Sequence, residues 1–294
     1  MMADVRIRDL DWIRTLAEHE HVTEAAAALR VPQPTLSRAL ARVEDELGAV
    51  LFERVPTGLR TTPIGGLVAA AAGEIAERYD RLVSDVANEL DPDTGVVRLA
   101  FLDSTAASLV PRLLRRFHEL APRVRVELSQ EAAHEIAEDL MDWRADLAIT
   151  SVRPTGDHGW LRLYEERLVL VVPAGHRLAG RTSVRLAELA GEPFVTTPAG
   201  YGYRSLTDGL LAAGGVVPEV SFESQDLATI EGLVAAGLGV AIVPEAFTGL
   251  SGTVGVGLAA RDARRIIGMT WRTTRPLPQP ATRFLEMVTA EFAM

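Results

Sequence analysis

The run Val22-Thr23-Glu24-Ala25-Ala26-Ala27-Ala28-Leu29-Arg30-Val31-Pro32-Gln33-Pro34-Thr35-Leu36-Ser37-Arg38-Ala39-Leu40-Ala41-Arg42-Val43-Glu44-Asp45-Glu46-Leu47-Gly48 reads as two helices joined by a turn. Thr23 is placed to cap an Ala-rich helix. Pro32-Gln33-Pro34 is expected to lie in the turn, because proline breaks a helix interior. The second helix is expected over 35–47, with Gly48 as a stop that tolerates the left-handed backbone of a helix end. Leu36, Leu40, Val43 and Leu47 recur at helical spacing and make its inner stripe. Ser37, Arg38 and Arg42 fall off that stripe and face outward. The alanines let the two helices cross closely. Leu51-Phe52 should pack beneath them, and residues 54–62, with Pro56, Gly58, Arg54 and Arg60, carry the turn chemistry of a two-stranded wing. The expected unit is an all-α winged helix-turn-helix over residues 1–65, its first helix spanning 5–18 with Leu10, Ile13, Leu16 and Ala17 inward.

Four pieces of this region, Thr23-Glu24-Ala25-Ala26, Gln33-Pro34-Thr35-Leu36-Ser37-Arg38, Leu51-Phe52-Glu53-Arg54 and Thr61-Thr62-Pro63-Ile64-Gly65, resemble in order and spacing the N-terminal domain of the LysR-type transcriptional regulators. Chain length and the C-terminal pattern agree with that resemblance over nearly all 294 residues. It implies a sequence-specific DNA-binding regulator whose activity a small effector modulates. Gln33, Pro34, Ser37 and Arg38 would then meet bases, Arg42, Arg54 and Arg60 phosphates, and Thr35 belongs to the same DNA-binding set. Two features depart from the family pattern. Pro32 stands where a small hydroxyl residue is usual. Residues 1–65 hold eight Arg against ten Asp plus Glu, a net of −2, so DNA binding must rest on where the arginines sit.

Composition agrees with a globular protein: 48% hydrophobic, 24% charged, and no apolar run near the roughly 18 residues of a membrane span. No signal peptide is legible, and zero Cys removes disulfides and thiolate sites together. A cytoplasmic location is expected. The net charge of −10 argues against a non-specific nucleic-acid coat but permits a small, locally basic DNA face. All thirty basic residues are Arg, which GC-rich coding explains as well as function does.

Residues 66–91 form an uninterrupted helical pattern. Val68, Ala72, Ile75, Tyr79, Leu82, Val86 and Leu90 make a narrow coiled-coil-like seam. Such a seam needs a partner, and the resemblance supplies a second subunit, so a homodimer or homotetramer on an inverted-repeat operator is expected, with Ile75, Tyr79, Leu82 and Val86 at the interface. Residues 91–95, Asp91-Pro92-Asp93-Thr94-Gly95, end the helix.

From residue 94 on, strands and helices alternate. Strands are expected at 96–102, 124–128, 147–150, 168–172, 194–195, 220–222, 240–243 and 266–271. Helices are expected at 106–120 (broken near Pro111), 133–143, 206–213, 227–236 and 281–292. The resemblance implies an α/β effector domain like a periplasmic solute-binding protein. Residues 96–163 with 264–294 would form one subdomain and 164–263 the other. Ligands in such folds sit at strand C-termini, which nominates Asp103, Ser104, Thr105, Ser151, Thr196, Thr197, Gln225, Asp226 and Pro244, with Arg204 near a helix start. For any one of these, capping the next helix is the competing role. Hydroxyls and helix N-termini favour an anionic effector, and Asp103 and Asp226 cut against one.

An enzyme is not expected. There is no Gly-x-Ser-x-Gly elbow and no His-Glu-x-x-His, and Gly200-Tyr201-Gly202-Tyr203-Arg204 lacks the Lys and spacing of a phosphate loop. His19 and His21 have no third ligand nearby, so no metal and no cofactor are expected. A plain solute-binding protein would explain the C-terminal 200 residues but not the helix-turn-helix. A structural partner that has lost DNA binding remains open because of the acidic N-terminal balance.

Overall fold

The computed structural model describes residues 6–91 and 93–292, with only the backbone of residues 89 and 90. Val5, Pro92 and the side chain of Leu90, to which the sequence reading gave roles, lie outside the described residues. The chain divides into two compact units, Met1–Ala87 and Asn88–Met294.

In the first unit three helices, α1 (Ile7–His19), α2 (Val22–Ala28) and α3 (Gln33–Leu47), precede a hairpin of β1 (Phe52–Val55) and β2 (Gly58–Thr61); the long helix α4 (Pro63–Leu90) follows. The core gathers Trp12, Ile13, Leu16, Ala25, Ala26, Leu36, Ala39, Val43 and Leu51. Leu10, Ala17 and Leu40 are only partly buried, and Leu47 is exposed.

Several boundaries differ from expectation for local reasons. Thr23 does not cap α2: His21 is the N-cap residue and Thr23 lies inside the helix. Arg30, in the left-handed region at φ 54°, makes the turn, so Gln33 and Pro34 already belong to α3 with Pro32 as its N-cap. The first turn of a helix has no use for those N–H groups, so prolines are tolerated there. In α4 the start moves back to Pro63, because Thr62 Oγ1 accepts the Gly65 N–H at 2.9 Å and acts as the cap.

Three carboxylates are engaged within the unit. Glu20 ends α1 and accepts the Thr61 N–H at 3.1 Å, while its carbonyl accepts the Leu59 N–H at 2.7 Å, tying the wing to α1. Glu44 of α3 accepts the Leu51 and Phe52 N–H groups at 2.7 and 3.2 Å. Asp9, 1% exposed, is paired with Arg42.

Gly65 packs against the Leu51 carbonyl so closely that a Cβ there would collide with it, and that carbonyl is pinned by the Thr62 N–H at 3.0 Å. Gly65→Val should therefore destabilise by roughly 1–3 kcal/mol or more, as overpacking does. Gly66→Ala, where a Cβ meets nothing, should instead stabilise by up to about 1 kcal/mol through helix propensity. Thermal unfolding of the two variants checks the contrast.

The second unit begins with β3 (Val96–Phe101), α5 (Asp103–Ala106), α6 (Leu109–Leu120), β4 (Arg125–Gln130), α7 (Ala133–Met141), β5 (Leu147–Thr150) and β6 (His158–Val172). It continues with β7 (Ser183–Val184), β8 (Pro193–Thr196), α8 (Gly202–Ala213), β9 (Glu219–Glu223), α9 (Leu227–Ala235), β10 (Ala241–Pro244), β11 (Val254–Leu258), β12 (Arg264–Arg272) and α10 (Gln279–Phe292). The expected helix over 106–120 is two, α5 and α6, with Pro111 in the first turn of the second.

Strand β3 pairs in parallel with β4 and β5, and β12 joins β5 and β6 antiparallel. The long strand β6 serves two cores. Its first part, from His158 to Arg167, pairs with β12, whereas Leu168–Val172 pairs with β10 and β11. Leu163 joins the core of Val97, Leu99, Phe117, Ile267 and Phe284. Beyond it, Leu168, Leu170 and Val172 face one core while Val169 and Val171 face another, the period-two alternation of a strand buried on both sides. Two α/β halves are thus joined by β6 and by the segment entering β12. No helix among the described residues is long and apolar enough to cross a membrane.

Candidate functional site: an exposed helix face and an acidic cleft

On α3, Gln33, Pro34 and Arg38 are exposed and Thr35 and Ser37 half-buried, so the outward face is polar. Arg38 donates Nε to the Pro34 carbonyl at 3.1 Å, which uses only one of its donor nitrogens. The wing exposes Arg54 and Arg60. Arg42, expected at a phosphate, is committed elsewhere: it pairs with buried Asp9 and lies 3.9 Å from Glu46. A buried carboxylate left without that partner would be costly, so Arg42 ties α3 to α1. With Asp9 buried and Glu44 partly buried, a net acidic unit can still present arginines outward. Along α4, Ile75, Tyr79, Leu82 and Val86 form an apolar row between 43% and 57% exposed, with Val83 beside it.

The second unit holds a cleft of about 300 Å³. Of the ten residues nominated from sequence, Asp103, Ser104, Ser151, Thr197, Gln225 and Asp226 line it. The other four do not. Thr105 is fully buried and donates its hydroxyl to the Leu102 carbonyl at 2.8 Å. Thr196 lies on a small separate pocket with Phe194 and Leu211. Arg204 spends its guanidinium on Asp208 and Glu223, both at 2.8 Å, and on the Thr197 carbonyl at 3.0 Å. Pro244 is buried in β10 opposite Leu168.

Residues not anticipated complete the lining: Gln130, Glu131 and Glu135 around the start of α7, Tyr201 and Tyr203 at α8, and Arg265. Arg265 is 5% exposed and paired with Glu166; its NH2 donates to Ser104 Oγ at 2.8 Å, and its guanidinium lies 5.2 Å from the Tyr203 ring centre. Strand alternation was the available signal, since Arg265 shares a face with Ile267 and Met269. Tyr203 donates its hydroxyl to the Ile242 carbonyl at 3.1 Å.

Asp103 and Asp226 both line the cleft, close enough to act on each other's ionisation. Burial, then the hydrogen bond and charge of Asp226, push Asp103 above the usual carboxylate range, with Gln130 opposing. Burial also acts against the Asp226 charge, but it is outweighed by bonds from the Thr229 side chain and backbone, the Ala228 N–H and Asp103, which hold Asp226 low. The expectation of an anionic effector therefore meets a lining of four carboxyl groups against one paired arginine.

The description "Bacterial regulatory helix-turn-helix protein, lysR family" matches residues 7–66, and "LysR substrate binding domain" matches residues 91–293. The "Uncharacterized HTH-type transcriptional regulator YybE" of Bacillus subtilis is 33% identical over 287 residues, covering 97% of this chain and 98% of that protein. The structure of full-length CbnR complexed with target DNA superposes with a TM-score of 0.79 at 24% identity, covering 97% of this chain and 99% of that one. The effector-binding domain of QuiR, in complex with shikimate, gives 0.63 at 24% identity over 68% of this chain and 97% of that one. At these identities the two structural likenesses speak to fold.

Proposed function

This chain belongs to the LysR family of bacterial regulators and is a DNA-binding transcriptional regulator with an effector-binding domain, not an enzyme, and from that premise we propose how its parts divide the work. Residues 1–65 bind DNA, 66–91 link and dimerise, and 94–294 bind a small effector, with subdomains of 96–163 plus 264–294 and 164–263. Gln33, Pro34, Thr35, Ser37 and Arg38 read bases, and Arg54 and Arg60 hold phosphate. Two copies, or two pairs, join through α4 so that the heads reach both halves of an inverted repeat. A regulator of transcription works where the chromosome is, which supports a cytoplasmic location.

The observation that carries the effector reading is the cleft itself, walled by both halves of a unit that β6 and the entry to β12 connect. A ligand touching both walls binds one arrangement of the halves better than another and so shifts their equilibrium. The engagement of Asp9, Glu20 and Glu44 in bonds within the unit favours a DNA-binding head over a structural partner that has lost that activity.

Ser151→Trp should fill the cleft. Transcription from the regulated promoter should then stop responding to inducing conditions, whereas affinity for the same DNA in vitro should stay within about threefold, a change of under 1 kcal/mol. An unaltered response in cells would move the effector site elsewhere.

A further inference from the structure

We propose that the effector is a small organic cation, an amine whose ammonium group sits between Asp103 and Asp226. This rests on the reading of the cleft as the effector site and adds the chemistry of the ligand.

Three observations converge. The first is charge. Asp103, Glu131, Glu135 and Asp226 line the cleft, and the arginine in the lining, Arg265, is already matched by Glu166. Two carboxyl groups facing each other disfavour each other's ionisation, and a cation between them removes that cost. Asp103 is the member whose pKa is raised, chiefly by burial, while the bonds at the start of α9 hold its partner Asp226 low. An ammonium group offers three donors to the same oxygens.

The second is the fate of the groups that would receive an anion. The Ala228 and Thr229 N–H groups at the start of α9 are taken by Asp226, and the Ala132 N–H by Glu135 at 2.7 Å. Gln130 donates to Asp103 at 2.5 Å, and Ser104 is engaged by Arg265. The start of α8, without a side-chain cap, contributes a partial charge of about one half at most, against full charges on the carboxylates.

The third is Thr197. It is 2% exposed, lines the cleft, and its Oγ1 has no hydrogen-bond partner among the described residues. A hydroxyl can accept as well as donate, so it suits an ammonium or a polar substituent on the same ligand. The volume of about 300 Å³ sets the size at a small molecule.

A pH dependence follows. The titratable and charged groups around the pair are Glu131 and Glu135 near α7, Arg265 with Glu166 on β12 and β6, and Tyr203 on α8; His134 stands edge-on to Tyr201 at 5.8 Å. An ammonium favours the ionised form of Asp103 and competes with a proton there. Amine affinity is therefore full above the raised pKa of Asp103 and falls as pH drops through it. Glu131, raised chiefly by burial, acts in the same direction.

The test is titration calorimetry on the full-length protein with butylamine, putrescine and phenethylamine, set against pentanoate, adipate and 3-phenylpropionate. The expected result is binding within the amine set and none within the carboxylates, with amine affinity falling as the pH is lowered. Asp103→Asn and Asp226→Asn should each weaken the amine at least tenfold; Asn keeps the cap on α9, and a thermal melt checks that both variants fold. Silence of every amine, or amine binding unchanged in both variants, overturns the proposal. Carboxylate binding that the Asn variants strengthen overturns the cation while keeping the cleft as effector site. The effector reading itself stands or falls separately with Ser151→Trp.

Discussion

The double variant Ile75→Glu/Leu82→Glu is expected to sediment as a monomer at micromolar concentration, where the wild type sediments as a dimer or larger. Both side chains stand about half exposed on α4, on a row that continues through Tyr79 and Val86. No described residue of the first unit covers that row, and a helix face of this kind is stabilised by burial against another apolar face. Fully burying one such side chain contributes roughly 1.5–3 kcal/mol. In a two-fold pair each substitution is made twice, so four half-exposed anchors are lost, each worth about half of that, on the order of 3–6 kcal/mol in all. The new carboxylates would also be buried beside one another, adding like-charge repulsion. A loss of that size carries a nanomolar dimer to about micromolar or beyond. An unchanged sedimentation coefficient would remove α4 from the interface.

The second large effect concerns sequence reading. Arg38→Ala should reduce the preference for the cognate operator over a one-base variant by roughly 1–3 kcal/mol, the value of a bidentate guanine contact. Binding to unrelated DNA should change little. Arg54→Ala should do the reverse, weakening all sequences alike and lowering the slope of log affinity against log salt by about 1. The geometry supports the split: Arg38 rises from the outward face of α3, steadied by one bond from Nε to Pro34, whereas Arg54 projects from the wing. Fluorescence anisotropy with both duplexes over a salt series separates the two behaviours. Equal losses on both duplexes for Arg38→Ala would deny it a base contact.

Much of this was legible in local sequence because local physics decides it. The alanine run, the spacing of Leu36 and Val43, and Gly48, found at φ 64°, announce the helix pair directly. The prolines misled because the rule against proline in helices does not reach the first turn, where Gln33 and Pro34 sit. The strand from His158 to Arg167 escaped notice because Arg162, Glu165, Glu166 and Arg167 read as a solvated segment; their pairing with β12, some 99 residues away, makes the strand. The same distance hid Arg265, whose burial depends on Glu166 and Ser104 from two other elements. In the cleft, the strand-end rule found Asp103, Ser104, Ser151, Thr197, Gln225 and Asp226, since topology alone brings strand ends together. It could not tell Thr197, which faces the cleft, from Thr196, which lies on a separate pocket: successive side chains in extended chain point opposite ways, and the register that sets the direction is tertiary.

The central claim, that residues 1–65 read DNA despite a net charge of −2, is tested most directly by footprinting the full-length protein on the DNA upstream of its own gene. The measurement is made at physiological salt with excess unrelated DNA as competitor. The account predicts protection of two half-sites in inverted orientation, separated by whole turns of the double helix, and its loss in Arg38→Ala. Uniform protection that the competitor erases, or no protection at any concentration at which the protein remains a folded oligomer, would contradict it.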